Sequence, residues 1–94
     1  MSNKTAKAII QHNKHSLTKA EQVHVLNWTL QHHKNGTVYC NTMTTTKRYT
    51  TFIKGNGQAY CSCPAFAKKK DVKPCKHLIA LALVIENKKN PTGF

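Results

Sequence analysis

Apolar residues recur at helical intervals in the first third of the chain. Residues 4–14 place Ala6 and Ile9 on one side, which predicts a short first helix. Ala20, Val23, Leu26 and Leu30 recur at the same spacing, which predicts a second helix from about residue 19 to residue 33. The N-terminal part of the fold is therefore expected to be helical.

The second predicted helix has a marked start but an ambiguous body. Thr18 is followed three residues later by Glu21, which is the spacing of a capping box. Val23 and Val25 alternate with polar residues, so a strand over residues 23–28 competes with the helix. A helix-turn-helix arrangement of the two N-terminal helices is a further alternative.

The middle of the chain has the composition of β-strands. It is rich in Thr, Tyr, Val, Phe and Ile without helical spacing, which predicts strands near 37–43 and 48–54 that pair as a hairpin. A Gly-Asn-Gly turn then leads to a third strand near 58–62, which Pro64 ends.

A strongly apolar segment after Pro74 predicts a largely buried helix that ends near residue 88. With the strands, this helix indicates an α+β fold: a three-stranded antiparallel sheet packed on a C-terminal helix, with N-terminal helices completing the core. The 94 residues form a single domain. Its expected parts are an N-terminal helical part, a module of strands and the C-terminal helix, and a flexible tail, over residues 1–36, 37–88 and 89–94.

The charge is strongly positive. Fifteen Lys and Arg residues face three acids, for a net charge of +12. Such an excess attracts polyanions and favours a nucleic acid or an acidic protein as partner. The N-terminus is polar and basic, unlike a secretory signal, and the apolar run 78–85 is far shorter than the ~20 residues of a membrane helix. We expect no membrane association and a reducing intracellular location, either the cytoplasm or the nucleus or nucleoid.

Three of the four cysteines lie in one stretch, CSCPAFAKKKDVKPCKH. Cys61 and Cys63, two apart at a strand end, point to the same face. Cys75 and His77 can meet them if Cys75 precedes the helix and His77 lies in its first turn. Three thiolates and one imidazole suit a tetrahedral structural zinc, one per chain. Buried cysteines beside an exposed histidine are the alternative.

This pattern, C-x-C-x(n)-C-x-H with Pro after the second Cys and the words CSCP and PCKHLIALAL, resembles the SWIM zinc finger over roughly residues 37–88. Cys61, Cys63, Cys75 and His77 match that family's four ligand positions. The resemblance implies DNA binding or protein–protein interaction. We expect the module to act here as a small protein with no enzyme attached. A closed four-ligand site also leaves no open position for catalysis, so neither an enzyme nor a small-molecule substrate is expected.

The cationic residues near the predicted zinc are the candidate nucleic-acid contacts, with DNA preferred over RNA and phosphates as the main targets. Tyr49 is added to them for stacking on a base. The set is Lys47, Arg48, Tyr49, Lys68, Lys69, Lys70, Lys73 and Lys76. A loop that is merely solvated is the alternative for the lysines. An adaptor that docks an acidic partner in recombination or replication is the alternative function.

The remaining thiol and most aromatic residues are predicted to pack. Cys40 is expected to act as a small apolar residue on a strand. The aromatic residues expected first in the core are Trp28, Tyr39, Tyr49, Phe52 and Phe66.

Overall fold

The computed structural model describes residues 4–44, 47–63 and 75–92. Its helices and strands, in chain order, are α1 (Lys4–His12), α2 (Leu17–Glu21), β1 (His24–Val25), β2 (Gln31–His32), β3 (Val38–Met43), β4 (Arg48–Ile53), β5 (Ala59–Cys61) and α3 (Lys76–Ile85). The antiparallel sheet has the order β1-β3-β4-β5, and β2 pairs with β3 as well. Helices cover one face of this sheet, so the predicted α+β fold is confirmed.

The predicted hairpin and third strand are present as β3, β4 and β5. Side chains of β3 alternate strictly between buried and partly buried along the strand. The inner positions of these strands join the side chains of α3 in one hydrophobic core, because a pleated strand turns every second side chain to the same face. We call the face toward the helices the inner face and the opposite one the outer face. The connection between the two predicted hairpin strands includes residues 45 and 46, which lie outside the described residues.

The C-terminal helix lies at the centre of the core. All residues from His77 to Val84 are buried, which agrees with its apolar composition on every side. The helix ends at Ile85, earlier than predicted, because Asn87 adopts a left-handed backbone with φ of 59°. The Lys88 N–H then donates to the Leu83 carbonyl at 2.8 Å, as in a Schellman motif.

The prediction of a helix over residues 19–33 is wrong. The helical part ends at Glu21, and the chain continues through β1, a 3₁₀ turn over Asn27–Thr29, and β2. Both short strands pair with the same edge of β3. Hydrogen bonds to that edge, together with full burial of Val23 and Val25, outweigh a helical spacing that the same residues also satisfy. The sheet therefore has five strands rather than three.

Two further N-terminal expectations change with this segment. The α2 helix begins at Leu17 after Ser16, which makes no side-chain capping bond, so Thr18 does not form a capping box. A five-residue α2 followed by a strand also does not form a helix-turn-helix unit. The first helix is confirmed: it buries Thr5, Ala6 and Ile9.

The end of the chain is joined to the edge of the sheet. Thr92 donates its N–H to the Val25 carbonyl at 2.7 Å and accepts from the Asn27 N–H at 2.9 Å. Thr92 belongs to residues 89–94, which the sequence predicted to be a flexible tail. Among the described residues, no helix is both long and apolar enough to cross a membrane.

The aromatic residues do not all lie in the core. Trp28 is 62% exposed, so its predicted burial is wrong. Tyr39 and Phe52 are partly buried on the outer face, whereas Tyr49 packs against the core on the inner face. Phe66 lies outside the described residues.

Candidate zinc centre

The first two ligands are positioned by continued strand pairing past the end of β5. Cys61 pairs with Thr51. Beyond it, Ser62 donates its N–H to the Thr50 carbonyl at 3.0 Å and accepts the Thr50 N–H on its hydroxyl at 3.0 Å. Because Ser62 keeps the extended geometry, Cys61 and Cys63 both point inward, and both are almost fully buried.

The other two ligands flank the start of α3. Cys75 is the N-cap residue in an extended conformation, and its carbonyl accepts the N–H of Ile79 at 3.1 Å. His77 is the second residue of the helix. Since Cys75 stands outside the helix, its Sγ lies only 3.6 Å from Nδ1 of His77. This is the arrangement that the C-x-H spacing predicted.

The four ligand atoms form a compact cluster. One atom from each of Cys61, Cys63, Cys75 and His77 lies within 4.8 Å of the others, and all four residues are buried. In a tetrahedral zinc site the bond lengths place neighbouring ligand atoms about 3.6–3.8 Å apart, which the Cys75–His77 distance matches. The cysteines are free thiols rather than a disulfide. The donor set of three thiolates and one imidazole therefore fits one structural zinc ion.

Residues 49–86 match the family model of the SWIM zinc finger. The match confirms the resemblance that the ligand pattern gave, and it contains all four ligands. It contains most of β4 and all of β5 and α3, and it leaves the N-terminal elements and β3 outside. We call residues 49–86 the SWIM-like segment. SWIM zinc fingers bind zinc and mediate nucleic-acid or protein interactions, and they are not typically catalytic. No curated protein and no solved structure matches the chain.

The thiols of Cys61 and Cys75 have opposite pKa shifts at the start of α3. The Cys61 thiol donates to the Cys75 sulfur, which lowers the pKa of Cys75 to about 4, while the His77 ring and the Leu78 backbone N–H lower it further and burial opposes them. The pKa of Cys61 is raised because this thiol keeps the shared proton and is buried. A thiolate at a helix N-terminus is also stabilised by the helix dipole.

The imidazole of His77 is held by the sheet. The Tyr49 ring packs against it from the inner face of β4, with centroids 4.9 Å apart and planes tilted by 57°. His77 Nε2 is buried without a hydrogen-bond partner in the described part of the chain. Tyr49 therefore contacts a zinc ligand from within the core, and its stacking on a base stays a prediction.

The fourth cysteine lies apart from the zinc cluster. Cys40 is buried on β3, and its thiol donates to the Leu26 carbonyl at 3.3 Å. Burial raises the pKa of this thiol. Cys40 therefore packs as a small apolar residue, as the sequence predicted.

The candidate nucleic-acid contacts are distributed unevenly. Lys47 and Arg48 are exposed at the start of β4, and Lys76 is exposed between two ligands. Lys68, Lys69, Lys70 and Lys73 lie outside the described residues. The sequence predicted Tyr39 and Phe52 to lie in the core, but the structure places both on the outer face together with Tyr60. Their flanking residues are mostly apolar, so the shared face becomes visible only from the register of β3, β4 and β5.

Proposed function

We propose that this protein binds nucleic acid, DNA in preference to RNA, mainly through backbone phosphates. The observation that carries the proposal is the position of Lys76, which is exposed between the buried ligands Cys75 and His77. A bound zinc ion holds this cation at a fixed place on the surface. In a chain with a net charge of +12, such a fixed cation favours a polyanionic partner.

The rest of the charge distribution supports the same partner. Lys47 and Arg48 add exposed cations next to the SWIM-like segment, and Lys68–Lys70 lie between the ligand pairs in the sequence. The chain has three acids, of which Glu21 ends α2 and Glu86 follows α3. Phosphate contacts of this kind position a protein without reading bases, so low sequence specificity is expected.

The test is fluorescence anisotropy with a labelled duplex DNA of random sequence at several salt concentrations. Charge reversal at three positions, Lys68→Glu, Lys69→Glu and Lys70→Glu, should weaken binding. Each lost phosphate contact removes about 0.9 from the slope of log affinity against log salt, so the slope should flatten by up to about three units. A duplex RNA of the same sequence tests the preference for DNA.

A matched control separates local contacts from net charge. Lys7→Glu, Lys14→Glu and Lys19→Glu make the same charge change on exposed residues of the N-terminal part. The control should keep most of the salt slope, and both variants should keep their zinc content. Equal slopes for the two variants, or no binding of duplex by the unaltered protein at low salt, would refute the proposal. An acidic protein would then be the favoured partner.

A further inference from the structure

A row of aromatic rings crosses the outer face of the sheet. Tyr39, Phe52 and Tyr60 are register neighbours on β3, β4 and β5. Their ring centroids are 5.2 Å apart for Tyr39–Phe52 and 5.4 Å for Phe52–Tyr60. His33 extends the row beyond Tyr39 with an edge contact at 4.8 Å. The row therefore runs perpendicular to the strands, on the side away from the zinc and the core.

A fifth ring lies over the same face. Trp28 lies on the 3₁₀ turn between β1 and β2, and the guanidinium of Arg48, the first residue of β4, lies 5.5 Å from its ring centroid. A cleft of about 340 Å³ lies between Trp28 and Tyr39, and the paired polar residues Asn41 and Thr50 also line it. The face thus offers a surface of rings together with a recess that has hydrogen-bonding groups.

The exposure of these rings is greater than sheet stability requires. Trp28 is 62% exposed and Tyr60 42% exposed, whereas Phe52 and Tyr39 are partly buried. Cross-strand aromatic pairs stabilise a sheet, and this accounts for Tyr39 and Phe52. It does not account for Trp28, whose indole lies outside the strands and remains mostly in water. Exposed aromatic surface of this kind is typical of a binding site.

The charge of this face is positive. Arg48 accompanies Trp28, and the Lys54 ammonium lies 5.6 Å from the Phe52 centroid. None of β1 to β5 contains an Asp or Glu residue. Aromatic rings interleaved with cations, in the absence of acids, are complementary to bases and phosphates together.

We propose that the outer face binds single-stranded nucleic acid by stacking unpaired bases on Trp28 and Tyr60. Arg48 and Lys54 contact the phosphates between the stacked bases. This inference rests on the proposed function and adds a second surface to it, because the lysines near the zinc attract any phosphate backbone whereas the rings require unpaired bases. In a duplex the base faces are already stacked on one another, so a duplex does not satisfy the rings.

The single tryptophan gives a reporter at the site itself. Titration of the unaltered protein with oligo(dT) should quench Trp28 emission, because a base stacks on the indole. Titration with a duplex should leave the emission nearly unchanged, although anisotropy shows that the duplex binds. Oligo(U) as a third probe distinguishes RNA from DNA as the source of the strand.

Ring removal gives the second measurement. Tyr60→Ala should weaken oligo(dT) binding by about fivefold to a hundredfold, the loss expected for one stacked base, and should change duplex affinity by less than about twofold. Tyr60→Phe keeps the ring and should bind oligo(dT) nearly as the unaltered protein does. Zinc content serves as the folding check on both variants.

The outcomes separate this inference from the proposed function. Failure to bind any nucleic acid at low salt would overturn both. A second set of results would overturn the stacking surface alone. In it, charge reversal of Lys68–Lys70 weakens the binding of single strand and of duplex equally, Trp28 emission is not quenched, and Tyr60→Ala has no effect. Should Tyr60→Ala fail to fold, the quenching experiment on the unaltered protein still decides the question.

Discussion

Removal of one zinc ligand should unfold the domain, whereas removal of Cys40, the buried cysteine outside the zinc cluster, should only lower its stability. We consider Cys63→Ala, which deletes a thiolate whose side chain is 2% exposed at the end of β5. The four ligands belong to two parts of the fold, the extension of β5 and the start of α3, so the metal links the sheet to its central helix. The matched control is Cys40→Ala, because Cys40 has the same 2% exposure but lies outside the cluster.

The expected magnitudes differ by several-fold. Structural zinc contributes about 10–16 kcal/mol of binding free energy in small zinc peptides. A domain of 94 residues has a total unfolding free energy of about 5–14 kcal/mol. Loss of the metal therefore removes an amount comparable to the whole. Cys40→Ala loses a weak hydrogen bond to Leu26 and a few packing contacts, about 1–2 kcal/mol, which lowers the melting temperature by roughly 5–15 °C.

The assay combines thermal unfolding by circular dichroism with measurement of zinc content. Cys40→Ala should keep one zinc per chain and a cooperative transition at a lower temperature. Cys63→Ala should lose both the stoichiometric zinc and the cooperative transition, and chelation of the unaltered protein should reproduce that result. A cooperative transition in Cys63→Ala within the range of the control, or in the chelated protein, would show that the core folds without the metal.

Three further predictions concern the helix and the metal. Leu81→Ala, at a fully buried position of α3, should lower the free energy of unfolding in urea by about 2–5 kcal/mol while zinc content is retained; a change below about 1 kcal/mol would contradict the central position of this helix. Zinc affinity, measured by competition with a chromophoric chelator, should fall as the pH is lowered from about 8 to about 6, because the raised pKa of Cys61 keeps a proton there that zinc must displace. Cys75, with its pKa lowered to about 4, stays deprotonated over this pH range and does not contribute to the change. A zinc affinity independent of pH would contradict the assignment of Cys61 as a ligand that must lose its proton. Asn87→Gly should raise the free energy of unfolding by up to about 1 kcal/mol, since φ of 59° favours glycine, and a loss of stability would exclude this explanation of the helix end.

The zinc site could be predicted because its geometry is local. Cys61 and Cys63 need only a strand end to face the same way, and Cys75 and His77 need only a helix start between them. The hairpin was predictable for a similar reason, since its content of Thr, Tyr, Val, Phe and Ile without helical spacing lies within the segment itself. In each case, one short segment contains the information that determines its structure.

The segment from Val23 to His32 could not be predicted in this way. Its apolar residues satisfy helical and alternating spacings at once, so local pattern does not decide between them. The decision comes from distant partners: Val25 pairs with Thr42, and its carbonyl accepts a hydrogen bond from Thr92. The exposure of Trp28 follows from the same pairing, because the 3₁₀ turn that carries it exists only where two short strands meet one edge of β3.

Alternate residues of β4 face opposite sides of the sheet. Its outward positions are Arg48, Thr50 and Phe52, and its inward positions are Tyr49, Thr51 and Ile53. Substitutions at the outward positions therefore change the surface that we propose for nucleic-acid binding, whereas substitutions at the inward positions change the packing of the core and the contact with His77. Sequence drift on the outer face can proceed without loosening the metal site. A shift of register by a single residue would turn every outward side chain inward and every inward side chain outward. Insertions and deletions in β4 should therefore disrupt the fold even at positions where substitutions are tolerated.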